Sequence, residues 1–126
     1  MKKTNREIFN NVYKHRKWIF GSGTGSIAFF NRPFINYVNN FLASHGDVKT
    51  IVDIGCGDMQ IGKHFKLDGK KYIGCDVSSH IIRKNKTKFR SDNMKFIELD
   101  AAYDAIPVGD VLIIKDVLQH LSNNDV

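Results

Sequence analysis

The sequence predicts an α/β fold, a parallel sheet with helices on both faces and an N-terminal helical appendage, on three observations. From Lys49 onward, short apolar runs alternate with helical patterns, which implies right-handed crossovers between parallel strands. The first run leads straight into a glycine pair, Gly55 and Gly57. At or just after the ends of the later runs stand Asp76, Asp100 and the pair Lys115-Asp116.

The elements follow in order. Thr4 with Glu7 matches a capping box, and Ile8/Val12 with Phe9/Tyr13 give an apolar stripe, so a first helix is expected from about Asn5 to Arg16. Gly21 to Ser26 breaks all periodicity. It reads as a plain flexible linker or as a lid over a bound ligand, with Trp18 and Phe29 or Phe30 as anchors. Pro33 suits the first turn of a second helix whose apolar face is Phe34, Ile35, Val38, Phe41 and Leu42, stopped by Gly46. Residues 1–48 thus form the appendage and 49–126 the sheet domain.

Thr50 to Ile54 reads as a buried strand, with a short helix over about Gln60 to Phe65 behind it. Tyr72 to Asp76 is the second strand, and Ser78 or Ser79 caps a helix running to about Phe89. Lys95 to Leu99 is the third. Past Pro107 and Gly109, Val111 to Ile114 is the fourth, and Val117 to Leu121 begins a further helix.

With 126 residues, 42% hydrophobic and 25% charged, the chain suits one globular domain. No apolar run approaches the roughly 18 residues that span a bilayer, and the polar start gives no signal core, so a cytoplasmic protein is expected. Cys56 and Cys75 have neither a C-x-x-C spacing nor a His neighbour and read as small buried thiols. The net charge of +6 and the run Arg83, Lys84, Lys86, Lys88, Arg90 allow a nucleic-acid partner. A solvated helix face is favoured, because no aromatic residues interleave with these charges.

Ligands of open parallel sheets bind at the carboxyl ends of the strands. A side chain at position 55 or 57 would hold a ligand away from the backbone, whose amides can face a carboxylate or phosphate. Asp76 lies 19 residues past Gly57, near the spacing at which an acid accepts ribose hydroxyls. The nicotinamide fingerprint G-x-G-x-x-G would need glycine in place of Gln60. Asp53, two residues before the first glycine, would repel a pyrophosphate but suits a cationic ammonium.

The run Asp53-Ile54-Gly55-Cys56-Gly57 resembles the first motif of the class I S-adenosylmethionine (SAM)-dependent methyltransferases. Asp116 to Leu121 looks like the segment after strand four in a bacterial subgroup, and Gly21 to Ser26 like that subgroup's glycine-rich loop. The resemblance implies a Rossmann-like sheet of order 3-2-1-4, incomplete because the family's fold has seven strands. It implies SAM as cofactor, with Asp53 and the backbone of Gly55, Cys56 and Gly57 on the methionine moiety. Asp76, with the adjoining Val77, would take the ribose, Asp100 and the Ala101 amide the adenine, and Lys115 would complete the site. Met59 stands where many members carry a third glycine, a crowding that Gly62 could relieve.

His120 lies four residues after Asp116, so both could face the transferred methyl from one helix, with His120 as base for a substrate hydroxyl. A histidine packed on an apolar helix is the plainer alternative, and methyl transfer can proceed by alignment and water exclusion alone. The expected activity is methyl transfer to a small-molecule acceptor. The alternative is a truncated SAM-binding or interaction module without turnover, whose apolar strand-four edge would pair in a dimer.

Overall fold

The computed structural model describes residues 3–14 and 29–122. The glycine-rich segment expected as a linker or a lid, Gly21 to Ser26, and Trp18 lie outside the described residues. Among these residues, three α-helices and four strands follow in the order α1 (Asn5–Lys14), α2 (Arg32–Ser44), β1 (Thr50–Ile54), β2 (Lys71–Asp76), α3 (Ser79–Lys88), β3 (Met94–Glu98) and β4 (Val111–Ile114).

All strand pairs are parallel, in the order β3-β2-β1-β4. The sheet starts from a clamp at its amino end. Asp110, just ahead of β4, accepts from the amides of Lys49 and Thr50 at 2.8 and 2.9 Å, and its own amide donates to the Thr50 carbonyl at 2.8 Å. These bonds hold the Asp110 carboxyl below its ordinary range. A side chain at Gly109 would lie 2.7 Å from Val52 Cγ2, so the chain can enter β4 this close to β1 only as glycine.

In parallel register, Ile51, Tyr72 and Val111 share one face, as do Asp53, Gly74, Phe96 and Ile113. Val38 and Leu42 of α2 and Ile81 and Ile82 of α3 bury this face in the main core. The opposite face gathers Val52, Ile54, Cys75 and Leu99 into a smaller cluster to which no helix of the described residues contributes. The β3–β4 connection is built of turns, with the amides of Tyr103 and Asp104 folded back on the Asp100 carbonyl, and Leu112 and Ile114 stay exposed.

α1 opens with the predicted capping box. The Thr4 amide donates to Glu7 Oε2 at 2.8 Å, and the Glu7 amide to Thr4 Oγ1 at 3.2 Å. Its Arg6 pairs with Glu98 at the end of β3, and its Asn10 reaches the start of α3. α1 thereby spans neighbouring strand ends. Phe29 and Phe30 are exposed and pack edge to face on each other, 5.4 Å between centroids.

Two predicted helices are shorter than expected. Behind β1 only a 3-10 turn forms, Gly62–His64, because Met59 takes a left-handed backbone (φ 68°) that ends the turn after Gly57 before an α-helix can start. After β4 the turn is again 3-10, Leu118–His120, preceded by Asp116 at φ 56°.

Candidate functional site

The carboxyl end of β1 delivers the chain into a turn that closes on β2. Gly55 and Gly57 have φ of 78° and 54°, a region open to glycine at little cost, and the amides of Gly55 and Cys56 both donate to the Cys75 carbonyl, at 2.7 and 3.0 Å. The Gly57 peptide is gripped at both ends. Its amide donates to Asp76 Oδ2 at 3.0 Å, and its carbonyl accepts from Asn85 Nδ2 of α3 at 2.7 Å.

Asp76 also accepts from the Ser78 amide, at 3.0 Å, across Val77. Burial pushes its carboxyl up to about 6 even though these backbone donors oppose the shift. Asp53, one strand over, is buried as well. Its Oδ2 accepts from the Tyr72 hydroxyl at 2.5 Å. Burial raises it to about 7, with the Asp76 charge adding to the rise and the Tyr72 hydrogen bond opposing it. Among the described residues the ion pairs are Arg6–Glu98 and Lys115–Asp116, and neither reaches Asp53 or Asp76. Two neighbouring strand ends thus present buried carboxylates with no cationic partner. Such a site is complementary to a ligand that brings a cation and hydroxyl donors.

The glycine at 55 serves packing as well as conformation. A Cβ there would lie 2.2 Å from Val117 Cγ2, so the segment after β4 closes directly over the turn. Met59 occupies the third-glycine position in the left-handed conformation a glycine would take, with its side chain fully buried. Gly62 does make the room: a Cβ there would meet Tyr72 Oη at 2.9 Å and Met59 Cε at 3.0 Å. Burial raises the Cys56 thiol far above its ordinary value, so it stays protonated.

Asp53, Gly55, Cys56, Gly57 and Asp76 are brought together. Asp100 and Ala101 are placed in a separate turn, where Asp100 Oδ1 accepts from the Ala102 amide at 3.1 Å and the Asp100 amide donates to Asp104 Oδ2 at 2.8 Å. Lys115 pairs with Asp116 and sets its ammonium over the Phe34 ring, 5.6 Å from the centroid. Hydrogen bonding to Lys115 holds the Asp116 carboxyl below its ordinary range. Asp116 precedes the 3-10 turn that carries His120, so the two do not share a helix face; the left-handed backbone at 116 breaks the expected helix. The His120 ring instead meets the edge of Phe9 of α1, 5.8 Å between centroids.

Sequence reasoning missed Tyr72, Asn85 and Val117. Asn85 carried a readable signal, a polar residue four positions after Ile81 on the apolar face of α3. Tyr72 and Val117 looked like ordinary apolar positions.

Comparisons with known proteins agree with this architecture. Residues 52–126 match the family described as a methyltransferase domain. No curated protein matches significantly. Among solved structures, the magnesium protoporphyrin IX methyltransferase of Synechocystis PCC 6803 with bound SAM is 19% identical, with TM-score 0.67, over 96% of this chain and 66% of that one. The same enzyme with bound SAH is 21% identical, with TM-score 0.63, over 90% and 57%. A TehB-like SAM-dependent methyltransferase of Corynebacterium glutamicum ATCC 13032 Kitasato is 23% identical, with TM-score 0.51, over 71% and 59%. At these identities the likeness is one of fold, and the chain spans between 57% and 66% of the length of these three structures. The family match begins inside β1, takes in the glycine turn, both buried carboxylates and the Asp116–His120 segment, and covers well over half the sequence: the chain belongs to the methyltransferase domain family.

Proposed function

We propose that this chain binds SAM across the ends of β1, β2 and β3 and forms the cofactor-binding part of a cytoplasmic SAM-dependent methyltransferase with a small-molecule acceptor. The observation that carries the reading is the pair of buried carboxylates, Asp53 and Asp76, without a cationic partner among the described residues. A sulfonium nucleoside with an amino-acid tail supplies what they lack. In this reading Asp53 takes the ammonium, the backbone of Gly55, Cys56 and Gly57 the rest of the methionine moiety, and Asp76 with Val77 the ribose hydroxyls. Asp100 and the Ala101 amide read the adenine, and Lys115 closes the site beside the Asp116 carboxylate. When bound, the cofactor supplies a methyl group made electrophilic by the sulfonium. The chain's part is to align donor and acceptor and to exclude water, with His120 as the candidate to accept an acceptor hydroxyl's proton and Asp116 as a further residue lining the methyl-transfer site.

Calorimetric titration of the full chain with SAM and with S-adenosylhomocysteine (SAH) tests the reading. Saturable binding of both is expected, and Asp53→Asn should weaken it at least about tenfold by removing the counter-charge. Absence of binding to either ligand would overturn the proposal. A second reading, binding without turnover and self-association through β4, is favoured by the exposed Leu112 and Ile114. Methyl transfer from labelled SAM to any member of an acceptor panel excludes it.

A further inference from the structure

Tyr72 is fully buried on the covered face of β2, yet it carries a hydroxyl that an ordinary core position would not need. Its ring is held between Phe65 and Phe96, with centroids 6.5 and 6.3 Å away, and its oxygen sits over Gly62 and 3.3 Å from Met59 Sδ. So confined, the phenol has one strong acceptor, Asp53 Oδ2 at 2.5 Å. Among the described residues no other side chain or amide donates to the Asp53 carboxylate. The phenol thus pins one oxygen of the Asp53 carboxylate.

We propose that Tyr72 is a positioning residue for cofactor binding: its hydroxyl fixes the Asp53 carboxylate and favours its charged form, so that the second oxygen meets the ligand's ammonium. The inference rests on the SAM reading above. Burial alone would leave the acid protonated and unable to serve as counter-charge. The titratable groups facing Asp53 are Tyr72 and Asp76 of β2 and Cys56 of the turn, with Cys75 on the opposite face of β2; the charged side chains of α2 and α3 are exposed, and β4 has none. Cys56 and Cys75 are both raised by burial and remain neutral, and Asp76 opposes ionisation of Asp53. Tyr72 is therefore the group that works in its favour.

The test is SAH affinity between about pH 5.5 and 9 for the full chain, Tyr72→Phe and Asp53→Asn. The unaltered protein should bind more tightly as pH rises through about 7 and then level off. Tyr72→Phe, which keeps the ring, should bind about tenfold more weakly near pH 7 and converge with the unaltered protein toward pH 9. Asp53→Asn should bind weakly with little pH dependence. A Tyr72→Phe profile that is unchanged, or lowered uniformly with the same midpoint, overturns the proposal. If that variant does not fold, the isotope-labelled Tyr72 Cζ resonance of the unaltered protein decides. It should titrate with the midpoint of the affinity profile and shift on SAH binding, and a resonance that does neither overturns the proposal. Failure of the unaltered protein to bind SAH removes the cofactor reading together with this one, whereas loss in Asp53→Asn with an unmoved Tyr72→Phe profile removes Tyr72 alone.

Discussion

Gly55 and Gly69 share the same backbone angle, φ 78°, but differ in what surrounds them: Val117 lies on the first, and nothing lies within 4 Å of the second. Alanine at 69 meets conformational strain alone and should cost about 1 kcal/mol. Alanine at 55 meets strain and a collision with Val117, and should cost about 3 kcal/mol or more. Adding Val117→Ala to Gly55→Ala should recover the steric share and leave the strain. Urea unfolding midpoints of the three variants check this, and equal losses at 55 and 69 would contradict it. Met59 shows the opposite balance, because its strain of about 1–2 kcal/mol is offset by burying a whole side chain, worth about 2–5 kcal/mol. The glycine pair was legible from the sequence because few other residues take such angles. The Asp53–Tyr72 bond was not, since it depends on the register that sets Asp53 beside Gly74, with Tyr72 two residues earlier on the same face.

Among the elements, α3 depends on α1 for its start. Ser78 Oγ accepts from the Ile81 amide at 3.3 Å and donates to Asn10 Oδ1 of α1 at 2.7 Å, while Asn10 Nδ2 donates to Ser79 Oγ at 3.2 Å. One serine hydroxyl thus caps a helix and docks another. Ser78→Ala should cost about 1–2 kcal/mol, and the double variant with Asn10→Ala should cost less than the sum of the singles. Thermal melts of the three variants measure the coupling, and strict additivity would show that α1 docks independently of the cap. The Arg6–Glu98 pair is half exposed and adds at most about 1 kcal/mol to that docking. β1, β4 and the serine cap were legible because apolar runs and a serine before a helical pattern are local signals. The 3-10 turns were not, because both follow from left-handed residues, Met59 and Asp116, whose side chains give no hint of that conformation. The reach of Asn10 across 68 residues to Ser78 was equally hidden.

For the whole molecule, the carboxyl end of the sheet holds two buried carboxyl groups, Asp53 and Asp76, without a cationic partner among the described residues. Asp53 is raised from 3.8 to about 7 by burial, so between those values the native protein binds a proton that the unfolded chain releases. The associated stability, on the order of 4 kcal/mol, is present below about pH 4 and lost as pH rises through 7. Asp76, raised to about 6, acts in the same direction. Ligand-free protein should therefore melt lower at pH 8 than at pH 5.5, and Asp53→Asn should narrow that gap by melting higher at pH 8. A gap that Asp53→Asn leaves untouched would contradict this account.

The buried acid also sets two demands on the sequence against each other. Under selection for heat resistance of the empty protein alone, position 53 would drift toward Asn or an apolar residue, since either removes the charge the core must bear. Under selection for ligand capture it would stay acidic. An engineered variant ranked only by melting temperature would discard the carboxylate first, and a screen that included SAH would retain it.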